Sequence, residues 1–108
     1  MQQNRAVKAL AAIAHHGRLS LIRHLIQAGS QGLAAGRLAS LAGVSNSTLS
    51  AQLLVLTNAG LVCSERQGRS IVYSAEYGNL RQLLGFLMVD CCCSNQDICK
   101  PLLEQLQP

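Results

Sequence analysis

Apolar positions recur along the chain with two different periods, and the change from one to the other divides it. Val7, Leu10, Ala11 and Ala14 return at helical spacing, and after a break at His16-Gly17 so do Leu19, Ile22 and Ile26, with Leu21 and Leu25 widening the stripe. This spacing predicts two helices within residues 1–28, each with a buried face. Gly29, Ser30, Gly32 and Gly36 read as a loop, after which Leu38, Leu41 and Ala42 predict a helix of about two turns that stops at Gly43. Ala42-Gly43-Val44-Ser45 is a short turn closing on a good N-cap, Ser45. Beyond it Leu49, Leu53 and Leu56 sit at i, i+4 and i+7 and face inward, leaving Asn46, Ser47, Thr48, Ser50, Ala51 and Gln52 pointing out. Asn58-Ala59-Gly60 ends that helix with a glycine just past its last turn. The period then shortens: 61–66 and 70–74 are short runs with β-branched residues and a tyrosine, joined by Gln67-Gly68-Arg69, which predicts a β-hairpin. From Glu76 the helical period returns with Leu80, Leu83, Leu84 and Leu87, and Phe86 and Met88 add more apolar surface than a monomer would cover. Pro101, Leu102, Leu103 and Leu106 predict a short C-terminal helix.

Composition sharpens this pattern into a class. At 108 residues, 49% hydrophobic and 13% charged, the chain is expected to form one domain over 1–108 with 90–108 as a tail, and disorder is excluded. No apolar run approaches 18 residues, and Met1 leads into Gln2, Gln3, Asn4 and Arg5 rather than a signal peptide, so a cytoplasmic protein without membrane contact is expected. Only 3% of residues are aromatic, which argues against single-strand binding by base stacking and leaves duplexes as the nucleic-acid partner. Charge is divided: residues 1–89 carry net +6, residues 90–108 net −2. A basic body suits a phosphate-binding surface.

A short helix, a glycine turn, a second helix with a polar outer face and a basic hairpin follow the order of a winged helix-turn-helix. The expected fold class is mainly α with a β-hairpin wing, dimeric. Backbone amides and hydroxyls at Ser45, Asn46, Ser47 and Thr48 suit phosphate contacts, while Ser50, Ala51 and Gln52 are short enough for a major groove roughly 12 Å wide. Gln52 is the candidate for bidentate pairing with adenine. At the hairpin, Arg66, Gln67 and Arg69 are placed to reach the minor groove or backbone.

Three segments, 41–50, 53–62 and 65–73, together resemble the ArsR/SmtB family of metal- and metalloid-sensing repressors. They read Leu41-Ala42-Gly43-Val44-Ser45-Asn46-Ser47-Thr48-Leu49-Ser50, then Leu53-Leu54-Val55-Leu56-Thr57-Asn58-Ala59-Gly60-Leu61-Val62, then Glu65-Arg66-Gln67-Gly68-Arg69-Ser70-Ile71-Val72-Tyr73. The resemblance spans roughly residues 5–99. It implies a homodimer joined through its first and last helices and bound to double-stranded operator DNA at an imperfect palindrome upstream of a resistance operon. The chain departs from the family at Ala51, Gln52 and Leu54, where members often carry two histidines and a lysine, and at Arg37, Leu38 and Ala39, where one branch carries a Cys-Val-Cys motif.

Cysteines concentrate the remaining chemistry. Cys91, Cys92, Cys93 and Cys99 crowd into nine residues, while Cys63 stands alone and reads as a small buried strand residue. The last helix offers Glu76 and Asp90 but no histidine, which disfavours the zinc site some members build there. Three thiolates without nitrogen or carboxylate partners suit a soft acceptor content with three ligands, so As(III) is the expected inducer, with Sb(III) or methylarsenite of the same kind. Cys92, Cys93 and Cys99 resemble the pair-plus-one arrangement of arsenic repressors, and Cys91 can replace either neighbour. A tetrathiolate zinc site and a redox pair, which would make the chain a thiol-based redox-sensing repressor, compete with this reading. A thiol-dependent enzyme is a further alternative, but no glycine-rich phosphate loop or histidine base accompanies the cluster, and no catalysis is expected. His15, His16 and His24 are assigned structural roles.

Overall fold

Leucine builds the core. Leu21, Leu25, Leu38, Leu53, Leu56 and Leu61 are the largest fully buried side chains, and burial of each contributes about 1.5–3 kcal/mol. The computed structural model describes residues 1–88, Pro101 and residues 104–106. In chain order these form α1 (Gln3–Ile13), α2 (His16–Ala28), a single 3₁₀ turn (Gly29–Gln31), β1 (Leu33–Ala34), α3 (Ala35–Ala42), α4 (Asn46–Asn58), β2 (Val62–Gln67), β3 (Ser70–Ala75) and α5 (Tyr77–Met88). The predicted helices and hairpin are all present. Of the expected C-terminal helix, Pro101 and residues 104–106 are described and are helical; Cys91, Cys92, Cys93 and Cys99 lie outside the described residues.

Which face each helix buries differs from expectation. α1 turns Ala6, Ala9 and Ala12 inward, while Val7 and Leu10 are 58% and 42% exposed. The alanines carry little side chain, so α1 comes close to α2 and α4, and the larger residues fall on the far side. α2 buries Leu21, Ile22 and Leu25 and leaves Leu19 and Ile26 in solvent. α5 buries Leu83 alone, with Leu80 and Phe86 half-buried and Leu84 and Leu87 exposed.

The segment read as a loop contains β1, which pairs antiparallel with β3 (Leu33 opposite Tyr73, Ala34 opposite Val72) to give the sheet order β1-β3-β2. Two residues are too few for a periodic signal. Gly32 makes the approach possible: its φ is +72°, and a Cβ there would lie 2.4 Å from the Tyr73 carbonyl oxygen. β2 and β3 pair from Val62 opposite Ala75 to Gln67 opposite Ser70. Their connection is therefore the two-residue loop Gly68-Arg69, with φ +63° at Gly68 and no positive φ at Arg69, the pattern of a II′ hairpin turn.

The start of α5 is pinned to the body. The Glu76 amide donates to Leu61 O at 2.9 Å, Asn79 Nδ2 to Gly60 O at 2.7 Å, and Tyr77 Oη to Ile26 O at 3.2 Å.

Candidate nucleic-acid interface

The corner between α3 and α4 is closed by hydrogen bonds on both sides. At the end of α3, the Gly43 and Val44 amides donate to Ser40 O (3.3 Å) and Ala39 O (3.2 Å). At the start of α4, Ser45 Oγ accepts from the Thr48 amide at 3.2 Å, donates to Thr48 Oγ1 at 3.1 Å and lies 3.2 Å from Ser47 Oγ. The predicted cap is thus formed, and the Ser45 hydroxyl is engaged in it. Asn46, Ser47, Thr48, Ser50 and Ala51 are all exposed. Leu54, 60% exposed, extends the same face because it lies four residues after Ser50 and seven after Ser47. Sequence reading left Leu54 out of the candidate surface, although that spacing identifies it. An exposed leucine in this place suits a thymine methyl.

Gln52 is not on that face. Leu49, Gln52, Leu53 and Leu56 stand at i, i+3, i+4 and i+7, so Gln52 borders the buried stripe, and it is half-buried. Arg18 Nη1 donates to its Oε1 at 3.1 Å. The placement of Gln52 as an outward-pointing residue is therefore corrected: its carbonyl oxygen already has a partner from α2.

Across from α4, the hairpin is exposed from Cys63 to Ile71. Arg66 Nε donates to Gly68 O at 3.3 Å and folds back on the turn, whereas Arg69 is exposed and makes no hydrogen bond among the described residues. Gln67 is exposed beside them. A cleft lined by Ala34, Ala35, Gly36, Arg69, Ser70 and Ile71 sets the hairpin tip next to the start of α3. Asn46, Ser47, Thr48, Ser50 and Ala51 with Arg66, Gln67 and Arg69 thus lie on exposed parts of α4 and the hairpin, with two of the chain's cations at the tip.

No family model matches the chain, and no curated protein does. Solved structures do. NolR from Sinorhizobium fredii is 32% identical, with 79% of this chain and 82% of that one covered at a TM-score of 0.64. BigR from Xylella fastidiosa, a transcriptional repressor, is 30% identical over 80% of this chain and 85% of its own, with a TM-score of 0.62. A winged helix-turn-helix DNA-binding domain of Mycobacterium bovis, described as homodimeric and as a possible ArsR-family transcriptional regulator, is 25% identical over 86% of this chain and 83% of its own, with a TM-score of 0.66.

The chain belongs to the ArsR-like winged helix-turn-helix transcriptional regulators. In this ArsR-like regulator α3 and α4 are the helix-turn-helix, α4 the recognition helix, and β2–β3 the wing. Its solved neighbours are regulators rather than enzymes. No helix among the described residues is long and apolar enough to cross a membrane.

Other candidates fall into place around this interface. Among the described residues no three His, Cys, Asp or Glu side chains gather as a metal-ligand group. The cysteine set proposed for a soft ligand lies outside those residues. Cys63 is exposed rather than buried, because it sits on the open side of β2 with its Sγ 3.2 Å from Ser74 Oγ. His15 has the structural role expected of it: its Nδ1 accepts from the Gly17 (3.1 Å) and Arg18 (3.4 Å) amides and caps α2. His16 and His24 line one side of α2 with Ser20, Arg23 and Gln27.

Proposed function

We propose that this regulator is a dimeric repressor of an arsenic-resistance operon, holding duplex operator DNA while its C-terminal thiols are free and leaving it when As(III) binds three of Cys91, Cys92, Cys93 and Cys99. The observation that carries the reading is the placement of the cysteine run, which begins three residues after Met88, the last residue of α5. That helix leaves Leu84 and Leu87 exposed, and α1, packed against it, leaves Val7 and Leu10 exposed. Apolar side chains of this number on two adjoining helices favour a second copy of the chain. The homodimeric state described for the Mycobacterium bovis domain supports the same assembly.

The chemistry is a ligand exchange. Three thiols displace three hydroxides from arsenious acid, three As–S bonds replace three As–O bonds, and the thiol protons leave in three molecules of water. The pyramidal product suits antimonite and, with two thiols, methylarsenite. In the DNA-bound dimer the two recognition helices must stand about 34–36 Å apart to enter successive major grooves. Closing three sulfurs around one centre at the end of α5 loads a dimer helix and shifts the balance between dimer shapes. A shift from nearly all bound-competent to nearly all incompetent requires about 5.5 kcal/mol of differential binding.

The test is a gel shift on the DNA upstream of the gene with arsenite, cadmium, zinc and peroxide added separately. Release by arsenite, lost in Cys92→Ser and in Cys93→Ser while operator binding persists, supports the assignment. Unchanged arsenite release in both variants removes it, and release by peroxide alone establishes thiol oxidation as the signal instead.

A further inference from the structure

We propose that Arg18 is a positioning residue for the recognition helix, acting as a strut between α1 and α4 with Gln52 as its anchor. A regular helix leaves its last four carbonyls without partners. In α1 all four are taken: Leu10 O by the Ala14 amide (3.0 Å), Ile13 O by the His15 amide (2.6 Å), Ala12 O by Arg18 Nε (2.5 Å) and Ala11 O by Arg18 Nη2 (3.5 Å). One guanidinium therefore closes the end of α1, where a cation also meets the negative pole of the helix dipole. Its remaining nitrogen, Nη1, reaches Gln52 Oε1 at 3.1 Å. Arg18 is half-buried, and every acceptor it meets is neutral.

The surroundings hold this geometry in place. His15 caps α2 through the Arg18 amide itself, so the backbone at residue 18 is fixed as well as its side chain. Gly17 keeps the corner close to α4: a Cβ there would lie 3.2 Å from the His15 ring and 3.6 Å from Gln52 Nε2. Removing the Arg18 guanidinium strands two carbonyls and an amide oxygen at once, on two different helices. α1 also carries the exposed Val7 and Leu10, so the strut links a helix proposed to meet the second subunit with the helix proposed to meet DNA. It follows that Gln52 sets the seating of α4 and does not read a base.

Two measurements test this, and only the second rests on the DNA-reading role proposed above. Amide hydrogen exchange on the DNA-free protein is expected to speed up by about tenfold or more in α4 and in the last turn of α1 for Arg18→Met, with Arg18→Lys, which keeps one donor, in between. Unchanged exchange in α4 overturns the strut. Affinity is then measured on a duplex that the wild-type protein selects from a randomised pool, and on single-base variants of that duplex. Gln52→Met and Arg18→Met are each expected to lose about tenfold on every duplex alike, and the double variant no more than either single one. A Gln52→Met loss confined to one base pair shows base reading and overturns the proposal. If the wild-type protein selects no duplex, the DNA-reading role fails, and the exchange result alone decides the strut.

Discussion

Two leucine-striped helices of similar length, α4 and α5, end in opposite states. In α4 the inward leucines Leu49, Leu53 and Leu56 are all buried, and most of the opposite face is small and polar. In α5 Leu83 is buried, but Leu84 and Leu87 are 60% and 52% exposed. The first helix is completed by its own chain. The second has a fixed root, held by Tyr77 and Asn79, and an uncovered far half. Periodicity alone therefore marks amphipathic helices without saying which surface each one covers. α4 has apolar surface enough to be seated and a face left to read with, whereas α5 has a surplus that another surface must cover.

The sharpest way to break this contrast is to cut one leucine from each helix. Leu56→Ala removes a fully buried side chain and is expected to cost about 2–5 kcal/mol, measured as a lower denaturant midpoint at unchanged slope. Loss of less than about 1 kcal/mol would show that α4 is not seated as described. Leu84→Glu with Leu87→Glu is expected to do the reverse. The fold of each chain stays intact by circular dichroism, while sedimentation at micromolar concentration shifts from dimer to monomer. An unchanged sedimentation coefficient for that pair would assign the exposed leucines to something other than assembly.

A smaller effect tests how firmly α4 begins. Ser45→Ala removes the acceptor of the Thr48 amide and is expected to cost about 1 kcal/mol, read from the thermal midpoint. Ser45→Asp, which restores an acceptor and places a negative charge at the helix start, is expected to recover most of that stability. It should also weaken operator binding, because the carboxylate would face phosphate. Equal operator affinity for the two variants would move the start of α4 away from the DNA backbone.

The residues that sequence reading placed well share one property: their signal is local. Ser45 before the leucine stripe, Gly60 after it, and the Gly68 turn each announce themselves within a few positions, and each stands where expected. What escaped depends on partners far along the chain. β1 exists because Gly32 lets Leu33 and Ala34 pair with β3, some forty residues away. The inward face of α1 is made of alanines, which win because neighbouring helices come close, whereas a search for large apolar residues picks Val7 and Leu10. Gln52 looked polar and therefore external. Its i+3 position within the stripe was visible, but a buried-side glutamine makes sense only once Arg18 is known to meet it. The cysteine run was plain in the sequence, and its role still rests on thiol chemistry.

The least disruptive comparison lies within the wing, between its two arginines. Arg66 is folded back onto Gly68 O, while Arg69 is exposed at the tip without an intramolecular partner among the described residues. A guanidinium already engaged with a carbonyl must give up that bond before it can meet phosphate. Arg69 gives up nothing, and it also neighbours the start of α3. Arg69→Ala is therefore expected to lower the slope of log affinity against log salt by about 0.9, one phosphate contact per subunit, with the folded stability unchanged. Arg66→Ala should reduce the slope by less and loosen the turn slightly. Salt titrations of operator binding for the two variants decide the order, and a larger loss of slope for Arg66→Ala would mean that the wing opens on DNA.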